Sequence, residues 1–184
     1  GGATIHATAG DRAFLVLGDA LHLRDVTVDG PGPNGFALWA GALAYVESGT
    51  LELQRSTITG STTDDPAVGG RFAEVRLEDS TVRDGAAAGI ARDQSPLAIT
   101  LVRSTVSGFV GDPIDGSEVD LTASTVADNG GAVRAVDGSW TASTIAGNDG
   151  GAVVTGSVAA TGSVIAGPLT CTTSIASGGY NLSL

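Results

Sequence analysis

Three stretches, LELQRSTI at 51–58, VRLEDSTV at 75–82 and ITLVRSTV at 99–106, align without a gap, and four more copies extend the series in both directions. LHLRDVTV opens at Leu21, VDLTASTV at Val119, GSWTASTI at Gly138 and VAATGSVI at Val158. The last residues of the seven copies are Val28, Ile58, Val82, Val106, Val126, Ile145 and Ile165, spaced 30, 24, 24, 20, 19 and 20 positions apart. Wording that stays constant while spacing varies is the mark of a stacked repeat whose insertions fall in connections.

Within each copy the first, third and eighth positions are mostly aliphatic, and from the second copy onward the sixth is Ser. Side chains of a strand alternate between faces, so the first and third share a face and the sixth and eighth share a face, but third and sixth differ by an odd step. Two short strands must therefore meet at a bend around the fourth and fifth positions. The fifth column reads Asp25, Arg55, Asp79, Arg103, Ala123, Ala142 and Gly162, polar or small as a solvated corner requires. A third strand precedes each motif, with Val16, Val46, Ile114 and Val153 each five residues before its first position.

Three short strands per turn, repeated about every 20 residues, predict an all-β fold: a single-chain right-handed parallel β-helix of about seven rungs, roughly 30 Å long at the spacing of adjacent strands. The whole chain, 1–184, is expected to form this one domain, and its opening without Met suggests a domain excised or processed from a longer exported chain. Its predicted core columns are Leu21, Leu51, Val75, Ile99, Val119 and Val158, beside Leu23, Leu53, Leu77, Leu101, Leu121 and Trp140. The serine column 56, 80, 104, 124, 143 and 163 shares the inward parity, where hydroxyls hydrogen-bonding along their own stack avoid the penalty of lone burial. An amphipathic helix fails in the Gly-free stretch 71–84, where Phe72, Val75, Leu77 and Val82 make no single stripe. An antiparallel sandwich suits the turn spacing but does not require one eight-residue wording seven times.

Composition narrows the function. There are 28 Gly among 184 residues, 4% aromatics, no Met, and a net charge of −11 that disfavours nucleic acid and other polyanions. The lone Cys171 makes neither an internal disulfide nor a zinc site, and no apolar run is long enough to span a bilayer.

The wording LxLxxSTVSGN followed by GG, clearest in VDLTASTVADNGGAV and WTASTIAGNDGGAV, resembles the bacterial right-handed β-helix repeat family of secreted and surface proteins. The ending GSVIAGPLTCTTSIASGGYNLSL is similar to the C-terminal segment of choice-of-anchor Q type proteins, its features falling on Val164–Gly167, Cys171 and Ser177–Leu182. The resemblance implies an extracellular or cell-surface bacterial protein with a non-catalytic structural, adhesive or self-assembling role. Partners would be other copies or a neighbouring segment at the open ends of the coil, with cell-surface or extracellular polysaccharide as a further candidate.

The same architecture resembles that of pectate lyases and polygalacturonases, making a polysaccharide lyase, a glycoside hydrolase or a carbohydrate-binding domain the alternative. Such hydrolases need two carboxylates at a fixed separation. The corner column offers Asp25 and Asp79, but alternating with Arg55 and Arg103 they read as a surface ion-pair ladder, and no catalytic residue is assigned. His6 and His22 lie in the first rung and read as surface residues. Phe36, Trp39 and Phe109, in the connections, are the candidate ligand-binding residues as exposed rings that could stack on sugars; the alternative is that they cover the side of the coil. No cofactor is expected. Calcium is the one metal considered, at the oxygen-rich turns Asp64–Asp65, Asp112 with Asp115, Asp128–Asn129 and Asn148–Asp149, none with a calcium-loop spacing. The seventh column, Thr27, Thr57, Thr81, Thr105, Thr125 and Thr144, makes an outward row like those of ice-binding solenoids. The column two residues on (Asp29, Thr59, Arg83, Ser107, Ala127, Ala146) is too irregular for an ice plane.

Overall fold

The computed structural model of the chain describes residues 2–6, 13–30, 44–59, 65–172, 174–179 and 181–183. They fold as the expected parallel β-helix, all strands and no helix, with three walls of stacked parallel strands. The first wall carries the STV end of each motif in a nine-stranded sheet running from Ala3–His6 through Val26–Asp29, Thr57–Thr59 and Thr81–Gly85 to Leu182–Ser183. The second carries the strands before each motif, among them Phe14–Leu17, Ala44–Glu47, Val68–Arg71 and Ile90–Arg92. The third carries the first half of each motif, among them Ala20–Arg24, Thr50–Gln54, Ala73–Glu78 and Leu97–Val102. Strands Ile114–Thr122 and Ala132–Thr141 each run through both the second and third walls.

The aligned letters sit over one another. Leu23, Leu53, Leu77, Leu101, Leu121, Trp140 and Ala160 are successive register partners on the third wall. From Leu51 and Leu53 onward the two core columns are sealed from solvent, whereas Leu21 and Leu23 at the outermost turn are half-buried. Each large aliphatic so buried contributes about 1.5–3 kcal/mol, and the columns together make one continuous core. Trp140 occupies a leucine position and is followed by Ala160, a large side chain over a small one; its indole N–H is buried without a hydrogen-bond partner.

The second wall departs from the sequence reading in register. Val16 and Val46 pair as expected. Ile114, however, stacks on Ile90 and Val133, which continue the column of Val68 rather than that of Val46. Val153 pairs with Arg134 in the outward row, and the inward residues are Ala152, which continues the Val133 column, and Val154. The link between second and third walls changes length from turn to turn, so a fixed offset of five does not preserve register.

Among the described residues, the corner between third and first walls is turned in all seven copies by a residue with left-handed backbone, and the other corners in several turns. The fifth motif column has φ of 55, 48, 49, 48, 50, 50 and 61° at Asp25, Arg55, Asp79, Arg103, Ala123, Ala142 and Gly162. Asp84, Gly108, Asp128 and Gly147 turn the corner from first to second wall, and Gly18, Ser48, Phe72 and Gln94 the corner from second to third. A single left-handed residue redirects the chain sharply, at a cost of roughly 1 kcal/mol for a side chain other than Gly or Asn.

The buried serines form a ladder, but its rungs run from hydroxyl to backbone rather than from hydroxyl to hydroxyl. The Ser80 amide donates to Ser104 Oγ at 3.1 Å, the Ser104 amide to Ser124 Oγ at 3.1 Å, and the Ser124 amide to Ser143 Oγ at 3.2 Å. Each hydroxyl in turn donates to the carbonyl two residues before it, as Ser104 does to Val102 at 2.8 Å. At the bend the strand can no longer pair amide to carbonyl, and the serine oxygen supplies the missing acceptor. Asn181 ends the series, its Oδ1 accepting from the Ser163 amide at 2.9 Å and its Nδ2 donating to the Ala160 carbonyl at 2.7 Å.

Candidate functional site

The corner column brings Asp25, Arg55, Asp79 and Arg103 to one edge, as two separate bidentate pairs rather than one unbroken ladder. Arg55 Nε and Nη2 donate to the two oxygens of Asp25 at 2.7 and 2.6 Å. Arg103 grips Asp79 in the same way at 2.7 Å for both bonds, and its Nη2 also reaches Glu78 at 2.9 Å. Hydrogen bonding to these guanidiniums holds the Asp25 and Asp79 carboxyls below the usual carboxylate range. A carboxylate so held is poorly suited to general acid work, which needs a raised pKa.

A second charged group stands on the outside of the second wall. Arg92 Nε donates to Asp115 Oδ1 at 3.0 Å, and Arg134 Nε to Asp112 Oδ2 at 2.5 Å, while Asp112 Oδ1 accepts from the Ala132 amide at 2.7 Å. Desolvation raises the Asp115 carboxyl above its usual value, opposed by the nearby Arg92. Asp112 and Asp115, one of the calcium pairs considered from sequence, are thus engaged by arginines. Asn129 and Asn148 are buried in an amide ladder instead of lining an open turn. Asn129 Nδ2 donates to Asn148 Oδ1 at 2.7 Å, and Asn148 Nδ2 to the Val126 carbonyl at 3.0 Å. Asp64 lies outside the described residues; among those described, no group of three or more His, Cys, Asp or Glu converges to hold a metal ion.

The two histidines are exposed, and each faces one carboxylate a turn along: His6 Nδ1 lies 3.1 Å from Asp29 and His22 Nδ1 2.6 Å from Glu52. The threonine row is in register and gains a member, Thr4, below Thr27. Cys171 is exposed on the outer strand Leu169–Cys171. No helix among the described residues is long and apolar enough to cross a membrane.

Of the rings singled out for stacking, Phe36 and Trp39 lie outside the described residues. Phe109 is not exposed: at 2% accessibility it belongs to the core. Its amide donates to Asn129 Oδ1, so it stands where the next two turns place Asn129 and Asn148. The motif SGFV at 107–110 fills this inward position with an apolar ring instead of an amide. Among the described side chains the exposed ring is Phe72, 65% accessible, which in sequence serves only to argue against a helix. Its column mates Gly18 and Ser48 would have marked it as a corner residue had the register of the second wall been known.

Comparison with family models, with curated proteins and with solved structures returned no match.

Proposed function

We propose that this chain is a non-catalytic extracellular β-solenoid module with a structural or adhesive role, in the manner of the bacterial surface β-helix repeats it resembles, and that association end to end with other copies is part of that role. The observation that supports it most is the way the charged exterior is spent on joining turns. The Asp25–Arg55, Asp79–Arg103, Glu47–Arg71, Asp115–Arg92 and Asp112–Arg134 pairs each bridge adjacent turns. Together with the serine and asparagine ladders, they tie each turn to the next and make a stiff scaffold. Asp25 and Asp79, the carboxylates of the corner column, sit in these same bonds.

Incubation with pectin, alginate and glycosaminoglycans, with and without calcium, tests the reading against the enzyme alternative. The expected outcome is that no new reducing or unsaturated ends form. Their formation at a rate proportional to protein concentration would identify an enzyme and overturn the proposal.

A further inference from the structure

Phe72 is a misfit on two counts. Its backbone φ of 50° lies in the left-handed region, where a bulky aromatic is a steric outlier, and its ring stands 65% accessible to solvent. The corner itself requires the left-handed backbone, as Gly18 and Ser48 in register below it show. Nothing about the corner requires an aromatic: Gly or Ser turns it in the two preceding turns. The fold thus gains little from the ring, and strain retained without structural return is grounds for asking what the residue contacts.

Its surroundings indicate the chemistry. Immediately before it Arg71 Nη2 is hydrogen-bonded to Glu47 Oε1, an ion pair at the same corner. Exposed Ser48 lies one turn below, and exposed Gln94 turns the same corner one turn above. Leu17, 61% accessible, extends apolar surface along this edge two turns below Arg71, about 10 Å away at the strand spacing. An exposed ring set among a hydroxyl, an amide and an ion pair suits a pyranose, whose C–H face packs on an aromatic and whose rim hydroxyls seek planar polar groups. With a net charge of −11 the chain repels acidic polymers, which favours neutral ones over them.

We infer that Phe72, with the Glu47–Arg71 pair, Ser48 and Gln94 beside it, is a contact point for a neutral polysaccharide. This goes beyond the scaffold role and specifies what an adhesive form of it would hold. The test is affinity electrophoresis of the 184-residue chain through gels cast with mixed-linkage β-glucan, starch, galactomannan or polygalacturonate, alongside Phe72→Gly and Val110→Ala. Val110 is exposed at a different corner. The wild type is expected to be retarded by at least one neutral polymer and not by polygalacturonate. Phe72→Gly should weaken that retardation at least tenfold while melting no lower than the wild type, since Gly accepts φ of 50° without strain, and Val110→Ala should behave as wild type.

Equal retardation of Phe72→Gly, or no retardation by any neutral polymer, overturns the inference. Preferential retardation by polygalacturonate overturns its charge argument and with it the assignment. Assaying the same samples for new reducing ends separates the two proposals: cleavage would sink the non-catalytic role yet leave the Phe72 contact standing, whereas a wild type that no neutral polymer retards and that cleaves none does the reverse.

Discussion

Ser104 shows how much of the coil depends on one small side chain. Its oxygen is the acceptor for the Ser80 amide, and its proton goes to the Val102 carbonyl, with the residue only 2% accessible. Ser104→Ala would orphan a buried amide at the bend, and an unsatisfied buried donor costs about 1–3 kcal/mol. Chemical denaturation should show a loss of about 2 kcal/mol with an unchanged m-value; a loss under 0.5 kcal/mol would mean that the amide finds another acceptor. That these serines point inward was legible from parity alone. Their partners were not, because strand alternation fixes a direction but says nothing about which backbone groups a corner leaves unpaired. Phe109 was misjudged for a related reason. A lone aromatic in a connection looks exposed until SGFV at 107–110 is laid over ADNG at 127–130, where Phe falls on the buried Asn.

The corner columns are the elements least visible in sequence. A left-handed position is usually announced by Gly, yet the corner after the third wall has Gly only at Gly162, while Asp, Arg and Ala fill the other six places. Asp tolerates this conformation better than Ala, which has no side-chain hydrogen bond to offset the steric cost. Ala142→Gly should relieve that strain at φ of 50°. Because Gly also loosens the unfolded chain, the net gain is smaller, about 0.5 kcal/mol. A rise in melting temperature checks it; a fall would mean that the Ala142 methyl makes contacts worth more than the strain. The third strand expected before each motif is present at Val16, Val46, Ile114 and Val153, but a fixed offset of five keeps only Val16 and Val46 in one column. The links from second to third wall vary in length, and no repeated wording marks them.

At the scale of the molecule, the arginine-held carboxylates set the response to acid. Asp25 and Asp79 have folded-state pKa values below those of the unfolded chain, so their stabilisation is present above about pH 4 and is lost as pH falls through the lowered values. Asp115 has the opposite sign: its folded pKa is raised, so acidification through that value favours the folded state. Urea midpoints measured from pH 7 to 3 should therefore fall less steeply below pH 4 in Asp79→Asn than in the wild type. In Asp115→Asn the compensating gain at higher pH should vanish. Parallel curves for wild type and Asp79→Asn would show that the Arg103 pair contributes nothing to folding.

The unequal spacing of the repeats has a practical corollary. The 30 positions from Val28 to Ile58 are the widest spacing between copies, yet Val26–Asp29 and Thr57–Thr59 pair in register, as do Phe14–Leu17 and Ala44–Glu47. Wall geometry is thus indifferent to what is spliced between one turn and the next. A foreign epitope or peptide tag grafted at that junction would be carried on a rigid frame at a fixed height along the axis, which makes the coil a ready-made chassis for presenting cargo.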